Sequence, residues 1–193
     1  MKKGTSILIV VLILAAVVLW GVKTYNKLVS LDEGVNSSWS QVENVYQRRA
    51  DLIPNLVATV KGYAEHESST LEAVVEARAK ATQTNIGDLS EEGIKNFQAA
   101  QGSLSSALSR LMAVIENYPD LKASENFKDL QAQLEGTENR IAEARRSFNE
   151  TAKGYNTAVR RFPANIIASM GGFETKGYFT AEEGAAQAPK VEF

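Results

Sequence analysis

Residues 127–162 read FKDLQAQLEGTENRIAEARRSFNETAKGYNTAVRRF. Within them Phe127, Leu130, Leu134, Thr137, Ile141, Ala144, Phe148, Thr151, Tyr155, Ala158 and Phe162 follow alternating steps of three and four. A period of 3.5 held over several heptads belongs to helices packed side by side with a left-handed supercoil. A strand would alternate, and none of these segments does. The same spacing recurs upstream. Leu28, Leu31, Val35, Trp39, Val42 and Tyr46 follow it, Arg49 interrupts it, and Ile53, Leu56, Val60 and Tyr63 resume it. Ile94, Phe97, Gln101, Leu104, Leu108, Leu111, Ile115 and Tyr118 form another series, and Leu71, Val74, Arg78 and Ala81 a weaker one. The fold class is all-α. Short connections between four such segments predict an antiparallel up-down four-helix bundle.

Breakers and caps place the boundaries. Asn85, Gly87 and Asp88 form a turn before Ser90, a good N-cap, with Glu91 and Glu92 on the positive end of the next helix. Tyr118-Pro119-Asp120 ends that helix, and Ser124 caps the one after it. Ser69 with Glu72 has capping-box spacing, which predicts a turn near Glu67 and Ser68. Pro54 either kinks a continuous helix or starts a new one. The apolar register runs straight through it, from Leu52 and Ile53 to Leu56, and favours the kink. Pro163 closes the last long helix. Beyond it a short apolar patch (Ile166, Ile167, Met170) meets Gly171-Gly172, periodicity vanishes, and Glu174 to Phe193 is expected to be poorly ordered.

The first helix has a second character. No charge occurs from Gly4 to Val22, and Ile7 to Trp20 is an unbroken apolar run between Lys2-Lys3 and Lys23. Nineteen helical residues span about 28 Å, close to the hydrocarbon thickness of a bilayer, and Trp20 suits its interface. A cleaved signal would need small residues three and one positions before the cut. Ala15 and Ala16 lie inside the apolar run, and a cut after Gly21 puts Leu19 at the third position. The expectation is an uncleaved transmembrane anchor over residues 1–23, a helical body over 24–170 and an irregular tail over 171–193. Two lysines on a short tail resist translocation, so the N-terminus is expected inside and the body on the exported, periplasmic side.

Charge and cysteine content exclude several classes. Three of the 21 basic residues flank the anchor, leaving 18 against all 23 acidic ones, so the body is near −5. That balance opposes nucleic acid or an anionic membrane face as its main partner. Without cysteine there are no disulfides, thiolate metal sites or lipoprotein attachment.

Several runs carry a family resemblance: Tyr25-Asn26-Lys27-Leu28-Val29; Arg48-Arg49-Ala50-Asp51-Leu52-Ile53-Pro54-Asn55-Leu56-Val57; Gly62-Tyr63-Ala64 with His66-Glu67; and Glu72-Ala73-Val74 with Glu76-Ala77-Arg78. Tyr118 to Ala123, Glu135 to Ala142, Tyr155-Asn156 and Phe162-Pro163 extend it. From the anchor to about Phe179 the chain resembles the LemA family of bacterial membrane-anchored proteins. The resemblance implies an N-terminal membrane segment and a helical-bundle domain, with no established enzymatic activity.

Nothing in the residues adds chemistry to that. His66, the only histidine, stands in Glu65-His66-Glu67. A di-iron bundle needs Glu-x-x-His on two helices, but position 63 is Tyr63 and there is no second histidine. One histidine also leaves no triad geometry to propose. Gly171-Gly172 lacks the strand-loop-helix context of a phosphate loop. No catalytic residue, cofactor or metal site is expected.

Polar residues within the heptad registers are the better clue. Arg48, Arg49 and Asp51 precede Pro54 and Asn55, while Glu138, Asn139, Arg140, Arg145 and Asn149 lie along the segment quoted first. Such residues most often set helix register through ion pairs and amide hydrogen bonds. The alternative is a surface that grips a partner or a second copy of the chain. The expected function is a non-enzymatic, bitopic envelope protein that scaffolds by self-association (a homo-oligomer) or by binding an envelope partner. The rival is a membrane-anchored sensor or transducer that relays through Pro54 to a separate partner.

Overall fold

The computed structural model describes residues 3–64, 66–84 and 89–181. Among them there are helices and no strand: α1 (Lys3–Lys61), α2 (Ser68–Gln83), α3 (Glu91–Ile115), α4 (Pro119–Ala123), α5 (Glu125–Arg160) and α6 (Ala164–Gly171). The four long segments anticipated from heptad spacing are α1, α2, α3 and α5.

Local chemistry explains most ends. The Ser90 hydroxyl accepts from the Gly93 amide at 3.1 Å and starts α3, with Glu91 and Glu92 in its first turn. Ser124 accepts from Phe127 at 3.4 Å at the start of α5. Helix α1 runs through Pro54 as a single element of 59 residues. The turn residues Asn85, Gly87 and Asp88 lie outside the described residues.

Two expectations, the Ser69 capping box and the poorly ordered tail, need correction, and two connections hold short helices that the pattern left open. The chain does turn just before Ser68, but α2 begins there, so Ser69 already sits inside its first turn and forms no capping box. The Tyr118–Ser124 connection contains a single-turn helix, α4, because Pro119 at its first position has a φ preset for helix. The apolar patch after Pro163 is also a helix, α6, closed by Gly172 at φ 71°, a left-handed position that suits glycine. The segment from Glu174 is ordered as far as Ala181 by the hydrogen bonds described below, while residues 182–193 fall outside the described chain. Its backbone partners are two amide side chains on distant helices and the Leu89 carbonyl, which no local pattern announces.

The chain divides into two compact units, Met1–Arg49 with Glu135–Lys176, and Ala50–Leu134 with Gly177–Phe193. In the first, α1 lies against α5. Ser38 meets Thr151 with hydroxyls 3.1 Å apart, and Arg49 meets Glu138, so rising numbers on α1 face falling numbers on α5 and the pair is antiparallel. Leu28, Val35, Trp39, Val42 and Tyr46 are buried from one side and Ile141, Phe148, Ala152, Tyr155 and Val159 from the other. The Trp39 and Phe148 rings meet edge to face at 5.5 Å. Each large side chain so buried contributes about 1.5–3 kcal/mol of transfer free energy.

The second unit has its own core: Ile53, Leu56 and Val60 of α1, Leu71, Val74 and Ala81 of α2, Leu104, Leu108, Leu111 and Ile115 of α3, Leu121 of α4, and Phe127 and Leu134 of α5. Tyr63 was expected on this seam but is exposed, because α1 ends at Lys61 and the chain turns, putting Ala64 in the core instead. Phe162 likewise leaves the α5 register: the helix stops at Arg160, and the ring is 77 % exposed.

Candidate functional site

Polar residues at core positions were the strongest clue in the sequence, and the structure assigns them different environments. In the first unit, Arg49 replaces an apolar residue in the α1 register and is 1 % exposed. Its Nη1 donates to Glu138 Oε1 at 2.9 Å, and the guanidinium stands 5.1 Å from the centre of the Tyr46 ring. That is within cation–π range. Burial raises the Tyr46 hydroxyl above its ordinary value, and the charges of Arg145 and Arg49 pull it back down. Glu138 is about half exposed, which limits the desolvation cost of the pair. The arrangement locks α1 to α5 at one register.

A second cluster in the same unit was not anticipated. Lys176 Nζ lies 2.8 Å from Asp32 Oδ1 and 5.4 Å from the Tyr155 ring centre. Burial first, then the Asp32 carboxylate, push the Tyr155 hydroxyl up to about 12. The Asn156 side chain donates to the Lys176 carbonyl and accepts from the Lys176 amide, both at 2.8 Å, as a neighbouring strand would. Tyr155 and Asn156 occur among the family-like residues, but nothing in the sequence pairs them with Lys176.

In the second unit Arg78 of α2 donates from Nε to the Ala50 carbonyl at 2.7 Å. That carbonyl is the one Pro54 leaves without a helical partner, since proline has no N–H. The donor lies 28 residues away in sequence, while Arg48 and Asn55, close to the carbonyl along the chain, are exposed. A neighbouring helix reaches the carbonyl, whereas the residues nearest in sequence turn elsewhere. Arg78 carries the same signal as Arg49, a charge inside an apolar series.

The second unit also holds the end of the described chain. The Gly177 amide donates to the Leu89 carbonyl at 2.8 Å. Gln98 donates to the Thr180 carbonyl at 2.9 Å and accepts from its amide at 3.2 Å, and Phe179 meets Phe97 edge to face at 6.3 Å. Tyr118 donates its hydroxyl to Glu67 at 2.9 Å, and this bond raises the phenol.

The candidate residues thus do not share one environment. Arg49 and Glu138 are paired. Arg48, Asp51, Pro54, Asn55, Asn139 and Arg140 are all exposed. His66 is exposed, and its neighbour Glu65 lies outside the described residues. Among the described residues no group of three or more His, Cys, Asp or Glu is placed to hold a metal ion. The polar clusters consist of cations, carboxylates, phenols and amides in mutual contact, an arrangement suited to fixing helix register.

α1 is also the one described helix long and apolar enough to cross a membrane. Its large side chains from Ile7 to Trp20 are all exposed, with Leu19 at 70 %.

Residues 38–193 match the family model described as the LemA family. The chain is 30 % identical over 174 residues to magnetosome protein MamQ of Magnetospirillum gryphiswaldense, a match covering 80 % of this chain and 64 % of that protein. It is 30 % identical over 186 residues to magnetosome protein MamQ 2 of Paramagnetospirillum magneticum, covering 86 % and 68 %. It is 23 % identical over 158 residues to protein LemA of Metamycoplasma hominis, covering 82 % and 69 %. The matches span about two thirds of the length of these relatives, and slightly less for the first.

Proposed function

This chain belongs to the LemA family, and from that premise we propose that it is a non-enzymatic bitopic membrane protein of the bacterial envelope. Residues 4–22 span the bilayer, and the body beyond them, on the exported side, works by assembling with copies of itself or with an envelope partner. In this reading α1, α2, α3 and α5 form an up-down bundle. One observation carries the proposal. The apolar, exposed stretch from Ile7 to Trp20 and the buried stripe from Leu28 to Tyr46 belong to the same unbroken helix. A continuous helix has no flexible linker, so the first unit, built on α1, is held at a fixed attitude to the membrane. That favours repeated contact between neighbours over free reach for a soluble substrate. The Arg78–Ala50 bond supports a Pro54 region that is locked, not hinged, and so weighs against transduction through it.

The exposed polar residues Arg48, Asn139 and Arg140, all in the first unit, are the proposed contact surface. Full-length protein extracted in detergent is expected to run as a discrete oligomer, and cross-linking in intact cells to capture the same species. A monomer that cross-links only to a different protein would overturn self-assembly and leave partner binding, as a scaffold or as the transducer. Cysteine labelling from outside intact cells at Lys153 reports the side on which the body lies.

A further inference from the structure

Helix α6 sits where the apolar part of α1 ends. Ile167 Cδ1 lies 3.7 Å from the position a Cβ on Gly21 would occupy, directly after Trp20. At Gly171 a Cβ would come within 3.1 Å of the Tyr25 ring, and Tyr25 packs on Phe173 with ring centres 5.4 Å apart. Ala168 is buried, and Ile167 beside it turns toward α1. Ile166 and Met170, four residues apart on one face, do not: they are 51 % and 82 % exposed, and Phe162, just before the helix, is 77 % exposed. A cleft of about 440 Å³ beside them is lined by Trp20, Lys27, Arg161 and Phe162 among others.

We propose that Phe162, Ile166 and Met170 form an interfacial element that enters the bilayer at the exit of α1 and seats the domain on the membrane surface. The inference rests on α1 spanning the bilayer. Residues 21–25 rise only about 1.5 Å each above Trp20, so the α6 residues packed on them share the level of the headgroups. An apolar stripe of this kind at that depth is buried by lipid at no cost in protein contacts. Trp20, an aromatic with a polar edge, and the cations Lys27 and Arg161 in the adjoining cleft match the chemistry of that layer, where long basic side chains extend toward phosphate. Exposed apolar residues grouped beside a membrane-crossing helix thus have a solvent for their face, which water does not provide.

The chain has no cysteine, so single-cysteine variants report position directly. Leu12→Cys, Ile166→Cys, Met170→Cys and Lys153→Cys, each in full-length protein, are labelled with a polarity-sensitive fluorophore. They are then reconstituted in vesicles of equal parts phosphatidylcholine and phosphatidylglycerol, and quenching is measured with lipids spin-labelled near the headgroup or at mid-chain. The expected result is loss of most emission at 166 and 170 with the shallow quencher, at 12 with the deep one, and at 153 with neither. Quenching at 12 without quenching at 166 and 170 would overturn the interfacial element while leaving the span intact. Blue-shifted but unquenched labels at 166 and 170 would also overturn it, since protein and not lipid then covers the stripe. No quenching at 12 would remove the span itself.

Discussion

Arg78 donates a 2.7 Å hydrogen bond to the carbonyl of Ala50, the acceptor that Pro54 orphans four residues later in α1. Ala50 is buried, so the oxygen has little access to water. Removing the donor leaves a buried acceptor unsatisfied, which costs about 1–3 kcal/mol. Arg78→Ala should therefore destabilise the protein by that amount in urea unfolding. Pro54→Ala returns an N–H to the same carbonyl, so Arg78→Ala should cost less in that background. A coupling of about 0.5 kcal/mol or more in the double-mutant cycle is expected. Strict additivity would mean that Arg78 stabilises by packing alone.

The buried register of α5 makes a simpler demand. Phe148 is fully buried against Trp39, and Leu134 is 7 % exposed in the core of the second unit. Phe148→Ala should cost about 3–5 kcal/mol and Leu134→Ala about 2–5 kcal/mol, transfer and cavity terms together. Glu143 is exposed, with an ion pair to Arg146 on the same helix turn, and its change to Ala should stay within about 0.5 kcal/mol. Equal, small effects at all three would refute the buried register of α5.

These positions show why the helices were legible and the sites were not. Periodicity reports which face of a helix is wet, so the α3 series Ile94, Phe97, Gln101, Leu104, Leu108, Leu111 and Ile115 is buried throughout. Gln101, the polar member, reaches the Ala81 carbonyl at 3.3 Å. Periodicity says nothing about partners. Arg49 and Arg78 stood out as charges in apolar registers, but their acceptors, Glu138 and Ala50, lie 89 and 28 residues away. Near helix ends the register also misleads: Tyr63 and Phe162 continue the spacing after the helix itself has stopped. α6 and the ordered stretch from Phe173 to Ala181 are too short for periodicity and are held by tertiary contacts.

Tyr155 gives a pH dependence. Its folded pKa, about 12, lies above the ordinary phenol value of 10.0, so the fold favours the protonated hydroxyl. The associated stability is fully present below about pH 10 and is lost as pH rises toward 12. Burial is the main cause and Asp32 the next. Tyrosinate absorbance should show several phenols titrating late in the folded protein, and Tyr155→Phe should remove the latest component. Over the same range the variant should lose less stability than the parent.

Gly177 is a position where any side chain collides. A Cβ there would lie 2.7 Å from the Glu91 Cα and 2.8 Å from the Ser90 carbonyl oxygen, both backbone atoms that cannot swing aside. Gly177→Ala should break the Gly177–Leu89 hydrogen bond and cost about 1–3 kcal/mol, as overpacking does. Hydrogen exchange should quicken at Gly177 and Thr180, whose amides donate to Leu89 and Gln98. Unchanged protection in a folded variant would mean that the segment bends to accept the methyl.

Arg48 and Arg49 adjoin in sequence but differ in environment, and this separates the structural role of the run from the proposed contact role. Arg49 is buried, paired with Glu138 and stacked over Tyr46. Arg49→Ala removes a charge-assisted bond and the packing of a long side chain, and should cost about 1–3 kcal/mol. Arg49→Lys should recover only part of this, because a single ammonium lacks the planar fork that meets carboxylate and ring together. Arg48 is exposed, so Arg48→Ala should change stability by no more than about 0.5 kcal/mol. If the exposed residues contact a partner, Arg48→Ala combined with Arg140→Ala should reduce cross-linking in cells while circular dichroism and the unfolding midpoint stay unchanged. Full cross-linking in that folded double variant would confine the run to a structural role and move the contact surface elsewhere on the body.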